Sequence, residues 1–241
     1  YWFFSFLLIL FAINYLYGFK VLSQPREKNI EEHDFVIKII SPNIELKEFL
    51  KNENNEVIIK KLIELSNPQA DQKTIFIWPE GMFPSIYLSE IKKYHKIFSE
   101  AFSNLHLIIL GINNLEYQNN VVSVYNSLAI VDNNLNLIST YKKNKLVPFG
   151  EFLPMEKYFQ KIGLKKITHG YKSFSKGKQR NVININNKFY NIKLLPLICY
   201  EIIYPGKINI KKQNVDLIMN ISEDGWFGNS IGPYQHFNKA I

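Results

Sequence analysis

Residues 1–19, YWFFSFLLILFAINYLYGF, carry no charge, and this run restricts what the chain can be more than any other feature. A helix rising about 1.5 Å per residue covers about 30 Å over such a run, the hydrocarbon thickness of a bilayer. Nearly every position is apolar, Asn14 being the main exception, so no face is left for water. Aromatic residues gather at both ends, as in an interfacial belt. A signal peptide fits poorly, because neither a basic n-region nor a small-residue cleavage site flanks the run. The alternative is a buried core helix; the reading adopted is a transmembrane helix over residues 1–21. Lys20, Arg26 and Lys28 follow it and, taken alone, place that side in the cytoplasm. The first residue is not Met, which points to a piece of something longer.

Residues 22–34 are polar, contain Pro25 and read as a linker. The remainder, 35–241, has the length of one substantial domain. With 46% hydrophobic and 15% aromatic residues in the chain, it can build a large core and is not disordered. Short apolar runs at 35–40, 74–78, 107–111 and 215–220 read as strands, and 57–65 and 88–102 read as helical. Segments 123–131 and 135–141 form a hairpin around Asp132-Asn133-Asn134. Segments 182–185 and 189–195 repeat the pattern around Asn186-Asn187. This mixture predicts an α/β or α+β sandwich with helices covering sheets.

Three of these runs end in reactive side chains. Ile75-Phe76-Ile77-Trp78-Pro79 delivers Glu80 and then Gly81. A carboxylate partly buried beside Trp78 would have a raised pKa, as suits a general base, whereas an isolated loop Glu would be merely solvated. Tyr141-Lys142-Lys143-Asn144-Lys145 crowds three lysines before Leu146-Val147-Pro148-Phe149-Gly150-Glu151. A lysine fixed in a cleft stabilises an oxyanion, and Glu151 would hold it charged; a solvated basic patch accounts for Lys142 and Lys145. Leu194-Leu195-Pro196-Leu197-Ile198 runs straight into Cys199-Tyr200-Glu201, a strand-to-turn placement like a nucleophile elbow.

Cys199 is the chain's one cysteine, which excludes an internal disulfide and any multi-cysteine metal site. Taken by itself it is a small buried hydrophobe. As a nucleophile it needs a base or a nearby cation, which Glu80 and Lys143 could supply. The five His residues stand outside these motifs, so a Cys-His dyad has no local support.

The net charge of +8 is uneven: residues 141–180 hold eleven Lys and Arg against two Glu. No nucleic-acid motif accompanies them.

Glu, Lys and Cys in this order, as W-P-E-G, Y-K-K-N-K-L and I-C-Y-E, resemble the triad of the nitrilase (carbon-nitrogen hydrolase) superfamily. The strings L-V-P-F-G-E-F-L-P and N-I-S-E-D-G-W-F-G-N-S-I-G-P-Y-Q-H resemble one branch of it, the bacterial apolipoprotein N-acyltransferases. The resemblance runs from about Phe35 to the last residue. It implies a nitrilase-like α-β-β-α sandwich preceded by a transmembrane helix, in an inner-membrane protein whose catalytic domain faces the periplasm, against the charge reading of the linker. It implies acyl transfer from a phospholipid to the N-terminal diacylglyceryl-cysteine of an apolipoprotein through a Cys199 thioester. Glu80 would be the base, Lys143 the oxyanion cation, and Glu151, Tyr200 and Glu201 supporting residues. No metal or organic cofactor is implied.

The basic segment then reads as a membrane-surface strip, with Phe152, Leu153, Met155, Tyr158, Phe159, Ile162, Leu164 and Ile167 among its lysines. Two departures stand out: Phe49 and Leu50 lie where the family has a Trp, and Glu223-Asp224 stands where it often reads Asn-Asp. The family also continues past the position of Ile241, so the resemblance implies a sandwich incomplete at its C-terminal side. A soluble-type amidase and a non-catalytic membrane-anchored remnant are the competing readings.

Overall fold

A computed structural model describes residues 2–23, 34–42, 55–83, 85–118, 121–155, 173–204, 214–228 and 230–240. Most of the expected linker, the neighbourhood of Phe49 and Leu50, and the centre of the basic strip (156–172) lie outside them. The chain divides into two units, Tyr1–Asp34 and Phe35–Ile241.

Among its described residues the first unit contains the helix α1 (Trp2–Ser23), of 22 residues with none buried. Its length is about 33 Å at 1.5 Å per residue, enough to cross a bilayer. Ser23 Oγ donates back to the Phe19 carbonyl at 2.6 Å and closes the last turn.

The second unit is a nitrilase-like sandwich. Its first sheet contains β1 (Val36–Ile39), β2 (Thr74–Ile77), β3 (His106–Gln118), β4 (Val121–Val131) and β5 (Leu137–Lys142), in that order. β1, β2 and β3 are parallel, and the remaining pairs are antiparallel. Parallel neighbours need crossovers. These are supplied by α2 (Asn55–Ser66) and by a 3-10 helix, Leu88–Tyr94, that continues into α3 (His95–Ala101). The second sheet contains β6 (Ile183–Asn186), β7 (Asn191–Ile198) and β8 (Leu217–Ile221), with β7 antiparallel to β6 and parallel to β8.

Strand alternation divides the apolar residues between two cores. Phe76, Trp78, Ile108 and Leu110 pack with Ile59 and Leu62 of α2 and Phe98 of α3. Ile75, Ile77, Leu107 and Ile109 pack with Ile185, Leu194, Ile198 and Ile221 of the second sheet. β2 is buried on both faces, which is why it reads as an unbroken apolar run. Trp78 keeps its polar atom satisfied by donating Nε1–H to Ser66 Oγ at 2.9 Å.

The expected strands are present, with three differences. β3 runs on to Gln118, because its polar second half pairs with β4 residue for residue as far as Gln118↔Val121. The helix expected at 88–102 is a 3-10 segment followed by a short α-helix. A further helix, α4 (Gly232–Ala240), packs on the 3-10 turn that follows β7.

Gly111 in β3 sets a close approach. A Cβ there would stand 2.5 Å from Glu80 Cα and 2.7 Å from the Pro79 carbonyl oxygen, so the loop after β2 lies on β3 only because a side chain is absent. Gly111→Ala is expected to destabilise the domain by about 1–3 kcal/mol, the cost of forced overpacking. Thermal unfolding followed by near-UV circular dichroism measures it.

Candidate active site

The three candidate residues lie just past the last paired positions of three strands, two in the first sheet and one in the second. Glu80 follows β2, Lys143 directly follows β5, and Cys199 directly follows β7. Alternation along β5 sends consecutive lysines to opposite sides. Lys143 points inward and is 1% exposed. Lys142 points away, pairs with Glu116 and lies over the Tyr125 ring, 4.4 Å from its centroid. Lys142 is therefore an ion-paired, half-buried residue and not the freely solvated one expected.

Lys143 Nζ donates to Glu80 Oε1 and Glu151 Oε1, both at 3.1 Å. Asn126, from the middle of β4, donates its amide to the same two oxygens at 2.6 and 2.8 Å. Glu151 Oε2 accepts from the Val147 N–H at 2.9 Å. Desolvation opposes the charge on Lys143, but Glu80 and Glu151 overcome it and hold the ammonium well above the usual lysine range. Glu80 is buried, though in a different setting from the one expected. The Trp78 ring lies in the helix-side core, and the carboxylate instead faces an ammonium and an amide.

Cys199 has φ +53°, the left-handed region that costs a non-glycine residue about 1–3 kcal/mol and clusters at functional turns. The elbow read from the sequence is this turn, which continues as a 3-10 segment, Cys199–Ile203. Burial pushes the thiol up to about 12, and Glu80 adds to the effect; Lys143 and the nearby Ser222 hydroxyl pull the other way. Both Glu80 and Lys143 thus act on this sulfur.

Glu201 is fully buried. It accepts from the Tyr141 hydroxyl at 2.8 Å, from the Asn144 and Lys145 N–H groups at 2.9 Å each, and from Ile198 N–H at 3.0 Å. Arg180 Nη2 lies 3.4 Å from it. One carboxylate thus ties the loop carrying Lys143 to the turn carrying Cys199. Burial and the Glu201 charge raise the Tyr141 phenol above its ordinary range. Tyr200 leaves the turn on another side and stacks on His236, with centroids 5.2 Å apart and planes at 9°.

Sequence reasoning missed Asn126, Ser222, Asp224 and His236. Asn126 sits in an alternating strand, where a polar residue reads as solvent-facing; its one signal is the apolar Leu128-Ala129-Ile130 that follows. Ser222 directly follows β8, as Cys199 follows β7, and that parallel was the available signal. Among the described residues, no group of three His, Cys, Asp or Glu could hold a metal ion.

The family model described as carbon-nitrogen hydrolase matches residues 51–240. An apolipoprotein N-acyltransferase of Bradyrhizobium diazoefficiens is 31% identical over 214 residues, covering 85% of this chain and 39% of that relative. Another, from Allorhizobium ampelinum, is 29% identical over 238 residues, covering 96% of this chain and 44% of the relative. The chain thus spans about two fifths of the length of these curated relatives. Among solved structures, a glutamine-dependent NAD+ synthetase from Acinetobacter baumannii superposes with a TM-score of 0.50 at 20% identity, covering 76% of this chain and 32% of that one. That likeness concerns the fold alone.

Two outcomes follow from the buried charges. Lys143→Met, which leaves the buried Glu80 and the part-buried Glu151 without their cation, is expected to cost about 3–5 kcal/mol of stability in denaturant titration at neutral pH. The thiol moves from 9.0 to about 12 on folding. Between those values the unfolded chain has released the proton and the folded chain keeps it. Stability from this site is full below pH 9.0 and falls as pH rises toward about 12. Cys199→Ala should flatten that part of the alkaline limb.

Proposed function

The chain belongs to the carbon-nitrogen hydrolase family, and we propose that it is the catalytic part of an apolipoprotein N-acyltransferase, moving a fatty acyl group through a thioester on Cys199. The observation that carries this reading is the convergence on one left-handed cysteine of a buried carboxylate and a buried ammonium, Glu80 and Lys143. The names of the relatives support the acceptor class, an apolipoprotein acylated on nitrogen; the phospholipid donor and the N-terminal diacylglyceryl-cysteine of the acceptor are part of the proposal.

Glu80 takes the proton from Cys199 Sγ, and the sulfur attacks the ester carbonyl carbon of the phospholipid. The carbonyl oxygen becomes an oxyanion beside Lys143 Nζ, where a fixed positive charge in a dry site is most effective. The carbonyl re-forms, the C–O bond to the lysophospholipid breaks, and Glu80 returns its proton to that alkoxide. The α-amino group of the lipoprotein then attacks the thioester carbonyl and gives its proton to Glu80. The C–S bond breaks, and the thiol is restored. No group beyond these side chains is needed for the proton and charge movements.

Hydrogen bonding supports this division of roles. Both oxygens of Glu151 are engaged, Oε1 by Asn126 and Lys143 and Oε2 by Val147. Glu80 is engaged through Oε1 alone among the described residues. Its second oxygen is left for a proton, so Glu80 is assigned as the base and Glu151 as the residue that holds Lys143. Glu201 and Tyr200 support the turn.

The proposed domain assignment is a transmembrane helix expected over 1–21, whose helix continues to Ser23, a linker that ends at 34 and the catalytic domain over 35–241. The protein is placed in the bacterial inner membrane, with the catalytic domain on the periplasmic side.

Incubating the full chain with phospholipid and measuring intact mass tests the reading. A fatty-acyl increment should appear and be absent in Cys199→Ala. A full chain that gains no acyl mass in phospholipid bilayers rejects the proposal.

A further inference from the structure

Beside Cys199 lies a second polar cluster that the acyl-transfer scheme leaves unused. β7 and β8 are parallel, with Ile198 registered on Ile221. The next residue of each strand, Cys199 and Ser222, therefore emerges at the same level on adjacent strands, which sets the Ser222 hydroxyl beside the turn that carries the Cys199 sulfur. Ser222 Oγ also lies 2.8 Å from Asp224 Oδ1. The same oxygen, Asp224 Oδ1, lies 2.8 Å from His236 Nδ1 on α4. The His236 ring stacks on Tyr200, the residue after Cys199. His236 is 5% exposed, and its Nε2 has no partner among the described residues.

The proton positions follow from the donor inventory. A carboxylate oxygen only accepts, so the His236 nitrogen facing it carries a hydrogen. Asp224 Oδ1 then has two donors, His236 Nδ1–H and Ser222 Oγ–H. Ser222 has a single hydrogen to give. While Cys199 is a neutral thiol, that hydrogen belongs to Asp224. Once the sulfur is negative, a donor to it is worth more, because hydrogen bonds to charged groups are the strong ones. Asp224 can release the Ser222 hydrogen at low cost only because His236 still satisfies it.

We propose that Ser222 is a further catalytic residue whose hydroxyl turns from Asp224 to the Cys199 sulfur as the thiolate forms, and that Asp224 and His236 are positioning residues that make this turn possible. The proposal rests on the reading of Cys199 as the nucleophile but not on the identity of the acyl donor or acceptor. Ser222 sits on the side of the sulfur opposite in role to the base: Glu80 removes the proton, and Ser222 stabilises what remains. The charged and titratable groups facing the sulfur and this cluster are Glu80, Lys143 and Glu151 from the first sheet, with Tyr200, Glu223, Asp224 and His236 from the second.

The test is the pH profile of alkylation by iodoacetamide, read by intact mass on the full chain in detergent. With one cysteine in the sequence, the signal reports a single sulfur. Ser222→Ala removes one hydroxyl with little change of volume. It should move the profile upward by about one pH unit, the loss of one hydrogen bond to a charged group. The rate at a fixed pH below the midpoint should fall about threefold, because a more basic thiolate is also more nucleophilic. His236→Phe keeps a ring against Tyr200 but removes the donor to Asp224, and it should shift the profile the same way. His236→Asn keeps a donor near the Nδ1 position and should restore the native profile.

An unchanged profile in Ser222→Ala overturns the catalytic assignment. A native profile in His236→Phe, or an Asn variant no better than the Phe variant, overturns the positioning role and leaves the ring stack as the only function of His236. Alkylation needs neither lipid nor lipoprotein. Failure here therefore leaves acyl transfer standing, and failure of acyl transfer leaves this result readable.

Discussion

The ammonium of Lys143 is 1% exposed, and much of the site's architecture follows from that one buried cation. An unpaired charge in a protein interior is prohibitively costly, so it is found only with partners already in place. Here the partners are Glu80 after β2 and Glu151 in the loop after β5, and Asn126 within β4 donates to the same two carboxylate oxygens and holds them in place. The lysine can be buried only when β2, β4 and β5 stand in register, which links the assembly of the first sheet to the assembly of the site. Gly111 belongs to the same requirement, since the loop carrying Glu80 reaches Lys143 by lying directly on the β3 backbone.

The second sheet is joined to this arrangement through Glu201. Its oxygens collect N–H groups from both Asn144 and Ile198, so the turn holding the thiol and the loop holding the ammonium share one carboxylate. Such a link fixes geometry between two sheets whose shared core is apolar side chains, which resist sliding less specifically than directed hydrogen bonds do. The strained φ of Cys199 is held on one side by this carboxylate and on the other by the stack of Tyr200 on His236.

Most of the strands were legible in the sequence, and two of the three positions proposed as reactive, Glu80 and Cys199, stood out because each closely follows an apolar run. β2 and β7 are buried nearly throughout, so a Glu or Cys at their ends breaks the pattern visibly. Residues that act from within a pattern were hidden. Asn126 occupies a place where alternation predicts a surface side chain, and the polar half of β3 looked like loop because its pairing partner lies in β4. The separate roles of Lys142 and Lys143 depend on which face of β5 each one takes, and the spacing of three nearby lysines does not reveal that. The Trp78 ring was expected beside Glu80 because the two are close in sequence. The strand end sends them to different cores, and the carboxylate finds a cation where an apolar wall was expected.

The charge of the site stays constant through the proposed reaction. At rest the ion pairs of Glu80, Lys143 and Glu151 with a neutral thiol carry one net negative charge. Moving the thiol proton to Glu80 leaves that sum unchanged. In the tetrahedral intermediate the negative charge has passed to the oxyanion beside Lys143, with Glu80 still protonated, and the sum is again the same. Releasing the alkoxide with the Glu80 proton returns the site to its starting charge. A buried site of low polarisability opposes any change in net charge far more than a redistribution of it. The raised pKa of Cys199 fits this scheme: losing the proton to solvent would add a charge to the buried site, whereas moving it to Glu80 would not.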